Sequence, residues 1–272
     1  MSLDKFQFLK EKAQEARICT LTAINAYGCG HVGGAMSIIE LLTVLYYEVM
    51  RIDPNNPAWE DRDRLVVSKG HAAPAVYSLL AMRGYFEKEL LKTLNANGTS
   101  LPSHCDMQKV PGIDMTTGSL GQGISAAVGM AIAAKMDKKD INIYAIVGDG
   151  ECQEGEVWEA ALLAPQRKLD NLTVFIDNNK LQVDGFVDNI VKVRPNSSKW
   201  EAFGWDVQVV KDGHNMADIL NAINQSKTVK EKPHLIVLDT VKAKGVEGYE
   251  GKENCHFFNV DDDLYKKVID NL

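Results

Sequence analysis

Ile141-Asn142-Ile143-Tyr144-Ala145-Ile146-Val147-Gly148-Asp149-Gly150-Glu151 decides the fold, and Leu172-Thr173-Val174-Phe175-Ile176-Asp177-Asn178-Asn179 answers it. Each stretch opens on a short apolar run rich in β-branched residues, the composition of a strand buried on both faces of a parallel sheet. Each then ends in polar residues. Open α/β sheets bind ligands at the carboxyl ends of their strands, so Gly148-Asp149-Gly150 and Asn178-Asn179 mark one candidate site. Glycines flanking Asp149 permit a tight turn and let phosphate oxygens approach without meeting a Cβ. Asp149 offers a carboxylate and Asn179 an amide oxygen, hard ligands suited to Mg²⁺ or Ca²⁺ rather than to a softer metal. With 27 residues between Gly150 and Asn178, the two halves read as a clamp for a diphosphate and its metal ion.

Outward from this pair, apolar periodicity alternates between helical and strand patterns along the chain. That alternation predicts an α/β fold, a parallel sheet with helices on both faces in three layers, forming a single domain over 1–272. Phe6 to Tyr27 reads as an amphipathic helix with Phe6, Leu9, Ala13, Ala16, Ile18, Leu21 and Ile24 facing inward. Ser37 reads as the N-cap of the next helix, with Glu40 completing a capping box. A short strand at Arg64–Val67 leads to Ser68-Lys69-Gly70-His71, and a helix follows over Ala72–Gly84. The stretch between Asn95 and Gly118 is polar, contains Gly and Pro, and lacks periodicity; a loop of that length in a compact domain is usually functional. Gln122–Lys135 is a helix whose Ala126, Ala127, Gly129, Ala131, Ala133 and Ala134 permit close packing. Strands at Asp206–Val210 and Leu235–Thr240 and helices near Met216–Ile223 and Asp261–Leu272 complete the pattern.

The chain has 272 residues, 45% hydrophobic content and a formal net charge of −7. It is long enough for a large core, and its acidity argues against nucleic acid as a main partner. Ile38–Met50 is the most apolar stretch, broken by Glu40 and Glu48, so no membrane span is expected. Met1–Lys12 is charged and amphipathic, unlike a secretion signal, and a cytoplasmic location follows. Five cysteines at scattered positions, with no C-x-x-C pair, point to reduced thiols rather than disulfides or structural zinc.

Six histidines are present, and four sit in glycine-rich or polar surroundings. His31 lies in Gly28-Cys29-Gly30-His31-Val32-Gly33-Gly34, His71 in Ser68-Lys69-Gly70-His71-Ala72, His104 in Leu101-Pro102-Ser103-His104 and His256 in Asn254-Cys255-His256-Phe257. Imidazole donates or accepts a proton near neutral pH, as carbonyl addition and cleavage require. Gly-Asp-Gly followed by Asn-Asn at this spacing resembles the thiamine-diphosphate-binding motif. With the histidine segments, Thr117-Gly118-Ser119-Leu120-Gly121-Gln122-Gly123 and Gly150-Glu151-Cys152-Gln153-Glu154-Gly155, the chain from about residue 8 onward resembles the diphosphate-binding half of transketolase. The departures are Ser119, where many single-chain transketolases carry proline, and Phe257-Phe258, where glycine usually follows the histidine.

The resemblance implies a thiamine-diphosphate-binding fold and assigns roles. Asp149, Asn179 and the Leu181 carbonyl would hold Mg²⁺ (or Ca²⁺) against thiamine diphosphate. Gly148, Gly150, Gly118, Leu120, Lys69 and Lys242 would contact the cofactor, and Glu154 would face a dimer partner. His31 and His104 would hydrogen-bond the sugar's oxygens; His71 and His256 would sit near the diphosphate and the transferring carbons. In the family, a second, pyrimidine-binding domain carries the glutamate that activates the cofactor. That domain lies downstream of Asn-Asn, and this chain stops at Leu272. The expectation is therefore the N-terminal subunit of a split transketolase, transferring a two-carbon ketol unit between sugar phosphates of the pentose phosphate pathway. It would work in an α2β2 heterotetramer whose other chain is a separate C-terminal subunit. Alternatives are another split thiamine enzyme acting on a modified sugar or a 2-oxo acid, and a degenerate, non-catalytic regulatory subunit. Deoxyxylulose phosphate synthase keeps both modules in one chain, and a bare nucleotide-binding fold lacks its G-x-G-x-x-G fingerprint here.

Overall fold

Two apolar runs that end in polar residues become neighbouring strands when each can bury both faces. The computed structural model, which describes residues 3–194 and 196–272, has that arrangement. Met1 and Ser2 of the N-terminal segment, and Pro195, lie outside the described residues. Helix α1 (Leu3–Tyr27) is followed by strand β1 (Cys29–Gly30), helices α2 (Val32–Met36) and α3 (Ile39–Val44), and β2 (Arg64–Val67). Then come α4 (Ala73–Arg83), α5 (Gln122–Met136), β3 (Ile143–Gly148), α6 (Gly155–Gln166) and β4 (Leu172–Asn178). A small hairpin, β5 (Leu181–Gln182) and β6 (Gly185–Phe186), precedes α7 (Val187–Ile190), α8 (Asn196–Phe203) and β7 (Asp206–Val210). Helix α9 (Met216–Ser226), β8 (His234–Asp239), β9 (Phe258–Asn259) and α10 (Asp262–Asn271) follow.

The main sheet is parallel throughout, in the order β2-β3-β4-β8-β7. Side chains alternate across its faces with the period of a strand. Along β3, Tyr144 and Ile146 join the core beneath α1, α3, α4 and α9, while Ile143, Ala145 and Val147 join the core beneath α5, α6 and α8. Both faces are covered, as a parallel sheet requires. Burying each such large side chain contributes about 1.5–3 kcal/mol, which fixes the register and so fixes the strand ends. Gly148 pairs in register with Asp177 and Asn178 with Asp239, bringing the polar tips of β3, β4 and β8 level.

Three local expectations are corrected. Ser37 is not a helix N-cap: it closes α2, and its hydroxyl donates to Asp177 Oδ2 at 2.6 Å. Glu40 completes no capping box and pairs instead with Arg17 and His214. A buried carboxylate is a stronger acceptor than anything a cap offers, so tertiary contacts claim both side chains. Phe6 is 39% exposed, because the first turns of α1 extend beyond the core that begins at Leu9. On α5, Ala127, Ala131 and Ala134 face inward, whereas Gly129 and Ala133 face out.

Candidate active site

The carboxyl ends of four adjacent strands build the site. Lys69 follows β2, Asp149 follows β3, Asn179 follows β4 and Lys242 follows β8, and all four line one cleft of about 680 Å³, its open mouth included. Asp149 is 1% exposed. Its Oδ1 accepts from the Gly150 N–H at 2.9 Å and its Oδ2 from the Lys180 N–H at 2.7 Å. Asn179 Oδ1 accepts from the Leu181 N–H at 3.1 Å. The Leu181 carbonyl in turn accepts from Lys242 Nζ at 2.9 Å. Gly148, Gly150, Leu120, Glu154, His71 and His256 line the same cleft. Gly118 is not among the lining residues and packs instead against His104, where a Cβ would meet Cδ2 at 3.2 Å.

Asp177 organises this end, and reading the sequence alone did not single it out. Its Oδ2 accepts from Lys69 Nζ at 2.7 Å, Ser37 Oγ at 2.6 Å and Asn179 Nδ2 at 2.7 Å, and Thr240 donates to its Oδ1. Burial pushes the Asp177 carboxyl up, but the Lys69 ammonium and these hydrogen bonds outweigh it and hold the group below its ordinary range. Lys69, 1% exposed, is therefore neutralised within the protein. Asp149 has no such counter-charge. Burial, with Asp177 nearby, pushes it up to about 7. Burial lowers Lys242 to about 8. Glu151, also unremarked in the sequence, accepts from the Gly121 N–H and the Gly148 N–H, each at 2.9 Å, and from Ser68 Oγ. It ties the turn after β3 to the loop before α5. The available signal was an acidic residue directly beside each glycine or asparagine motif.

The four histidines, distant in sequence, form one cluster, of which His71 and His256 line the cleft while His31 and His104 pack behind them. His31 lies 5.4 Å from His71, 5.3 Å from His104 and 5.3 Å from His256 between ring centroids, and His71 lies 5.0 Å from His256. Gly34 makes this possible, since a Cβ there would meet His71 Nε2 at 2.8 Å. Burial disfavours the imidazolium, lowering His31 to about 4 and His256 to about 3, and lowering His71 and His104 as well. All four rings are neutral at pH 7, each holding one donor and one acceptor nitrogen. Phe257, half exposed, packs edge-on against His31 at 4.9 Å.

These groups suit a metal-bound diphosphate. Carboxylate, amide and carbonyl oxygens converge with cationic Lys242, and His256 Nδ1 is buried beside the cleft with no hydrogen-bond partner among the described residues. A parallel sheet with this clamp at its strand ends is a cofactor-diphosphate domain. The family profile described as "Transketolase, thiamine diphosphate binding domain" matches residues 9–270. The chain belongs to the transketolase family, which is one of transferases.

Over 97% of its length it is 52% identical to a 6-deoxy-6-sulfo-D-fructose transketolase subunit of Clostridium sp. (strain MSTE9), covering 96% of that protein. Over 84% it is 43% identical to an apulose-4-phosphate transketolase subunit of Phocaeicola vulgatus, covering 80% of it. The crystal structure of transketolase from Campylobacter jejuni superimposes with a TM-score of 0.92 at 33% identity, covering all of this chain and 43% of that one. The chain thus matches the Clostridium subunit nearly end to end and spans about two fifths of the Campylobacter jejuni transketolase chain. Among the described residues, no helix is long and apolar enough to cross a membrane.

Proposed function

We propose that this chain is the diphosphate-binding subunit of a two-chain transketolase, moving a two-carbon ketol unit from a ketose phosphate to an aldose phosphate. The observation that carries the reading is the Asp149 clamp sharing one cleft with His71 and His256, whose rings belong to a cluster completed by His31 and His104. Thiamine diphosphate supplies, when bound, a nucleophilic carbon that adds to the ketose carbonyl. Asp149, Asn179 and the Leu181 carbonyl hold Mg²⁺ (or Ca²⁺), and Lys242 adds positive charge toward the diphosphate. Gly148, Gly150, Gly118 and Leu120 line the cofactor. Lys69 acts through Asp177, which its ammonium keeps ionised, so that Asp177 can orient the Asn179 amide. His31 and His104 hydrogen-bond the sugar's hydroxyl and carbonyl oxygens, and His71 and His256 face the transferring carbons. Neutral imidazoles can accept a proton during addition and return it during cleavage.

The residues of the chain form a single diphosphate-binding domain, and the pyrimidine-binding domain comes from a separate subunit, in an α2β2 assembly. Glu154 is exposed at the cleft rim, where a partner can meet it. A modified ketose as donor is a second reading, supported by the names of the sulfofructose and apulose-4-phosphate relatives. Unpaired cysteines fit a reducing cytoplasm. The test is reconstitution: this chain, its pyrimidine-domain partner, thiamine diphosphate and Mg²⁺, assayed on a panel of ketose donors. Turnover is expected only from the complete mixture. Equal turnover by this chain alone would refute the two-chain reading, and the preferred donor identifies the sugar class.

A further inference from the structure

Lys242 reaches the cleft from a run of turns after β8, with no helix or strand to hold it. Its neighbour Ala243 sits at φ +60°, a left-handed conformation that costs a non-glycine residue and persists only where surroundings impose it. Two buried side chains, Arg17 and Glu40, and the partly buried His214 supply that constraint from distant parts of the chain. The Val241 N–H donates to His214 Nε2 at 2.9 Å, so Nε2 is the bare nitrogen and Nδ1 carries the proton. His214 Nδ1 then donates to Glu40 Oε2 at 2.9 Å. Glu40 Oε1 pairs with Arg17 Nη2, and Arg17 Nη1 donates to the Lys244 carbonyl at 2.5 Å and the Met36 carbonyl at 3.2 Å. The chain of contacts grips the backbone on both sides of Lys242, at 241 and at 244. The Ala243 N–H, donating to the Gly33 carbonyl at 3.0 Å, fixes the middle.

Arg17 and Glu40 are 6% and 8% exposed. Buried ion pairs of this kind are weak contributors to stability, and their best-attested use is to fix one arrangement among several. We propose that Arg17, Glu40 and His214 are positioning residues whose joint task is to set Lys242 against the Leu181 carbonyl at the metal end of the cleft. This rests on Lys242 acting toward the cofactor diphosphate. His214 is the link that touches Lys242's own segment from one side, and its neutral tautomer is dictated by Glu40 on the other.

Two substitutions separate the contacts. In His214→Gln the side-chain amide can place its oxygen where Nε2 stands and still accept from Val241. In His214→Asn the amide reaches Glu40 but falls short of Val241. The readouts are hydrogen exchange at the Val241 amide in the full chain, and thiamine diphosphate affinity with Mg²⁺ in the two-subunit enzyme by calorimetry. Loss of a group that orients a site residue typically weakens affinity ~10–100-fold. His214→Asn is expected to lose Val241 protection and raise Kd by about 10-fold or more, while His214→Gln retains both and melts at a similar temperature. Equal Kd in His214→Asn and the parent overturns the inference, as does equal weakening in both variants. Lys242→Met tells the two readings apart. If it raises Kd while His214→Asn does not, only the positioning role fails; if it leaves Kd unchanged, the role of Lys242 itself fails.

Discussion

At the scale of single residues, the site depends on which carboxylates are paired. Asp177 is held ionised by Lys69 and three further donors, whereas Asp149 accepts only two backbone N–H groups and is pushed up to about 7 by burial. The two acids therefore respond differently to substitution. Asp177→Ala leaves the Lys69 ammonium buried without its counter-charge, a change that typically costs about 3–5 kcal/mol. It is expected to lower the urea midpoint sharply, and an unchanged midpoint would show that Lys69 finds another partner. Asp149→Ala removes a group that lacks a charged partner, so it is expected to cost little stability. It should abolish Mg²⁺-dependent retention of thiamine diphosphate in the two-subunit enzyme, as followed by equilibrium dialysis. Retention equal to the parent's would mean the metal is held elsewhere. Asp149 and Asn179 could be singled out from the sequence because glycines and a second asparagine surround them. Asp177 was marked only by its place beside Asn178-Asn179; nothing in the sequence names the lysine 108 residues away that pairs with it.

At the scale of elements, periodicity disclosed what burial alone decides. Helices α1, α5 and α9 and strands β2, β3, β4 and β8 follow their apolar patterns to within a few residues, because each buries one continuous face or two, and β7 follows its pattern at the sheet edge although only Val210 is buried. The two-residue strands β1 and β9 carry no pattern of their own; they pair only because the chain returns after a long excursion. Ser37 and Glu40 were misleading for a related reason, since a capping box is a local signal and both side chains are claimed from afar. Helix α5 shows how tightly elements and site are joined. A Cβ at Gly123 would meet Ser68 Cα at 2.6 Å, and Ser68 Oγ bonds Glu151. Gly123→Ala is expected to push the start of α5 away from β2, at the ~1–3 kcal/mol typical of overpacking. Differential scanning calorimetry should record a lower Tm, and weaker cofactor binding should accompany it through Leu120. A Tm equal to the parent's would mean that Ser68 moves aside without cost.

At the scale of the whole molecule, the histidine cluster that serves the site makes the fold sensitive to acid. In the unfolded chain each of these imidazoles titrates near 6.5, whereas folding lowers His31 to about 4 and His256 to about 3, and lowers His71 and His104 too. A depressed histidine contributes stability that is fully present above the unfolded value and is lost as pH falls through the window toward the folded one. Asp149 acts in the opposite sense: raised from 3.8 to about 7, it adds stability below 3.8 that is lost as pH rises through 7. Near pH 5 the unfolded chain binds protons at His31 and His256 that the folded chain refuses, and the lowered His71 and His104 act in the same direction, while the folded chain keeps one proton at Asp149, so the histidines prevail. The cofactor-free chain is expected to lose urea resistance steadily from about pH 6.5 toward pH 4. Carboxylates with lowered values, such as Glu40 and Asp177, titrate below about 4.5 and 3.8 and act in a lower window. The double variant His31→Asn, His256→Asn should flatten the upper limb and leave the lower one in place. If the two limbs stay as steep as in the parent, the imidazoles titrate normally in the folded protein and the neutral cluster proposed for sugar binding is wrong.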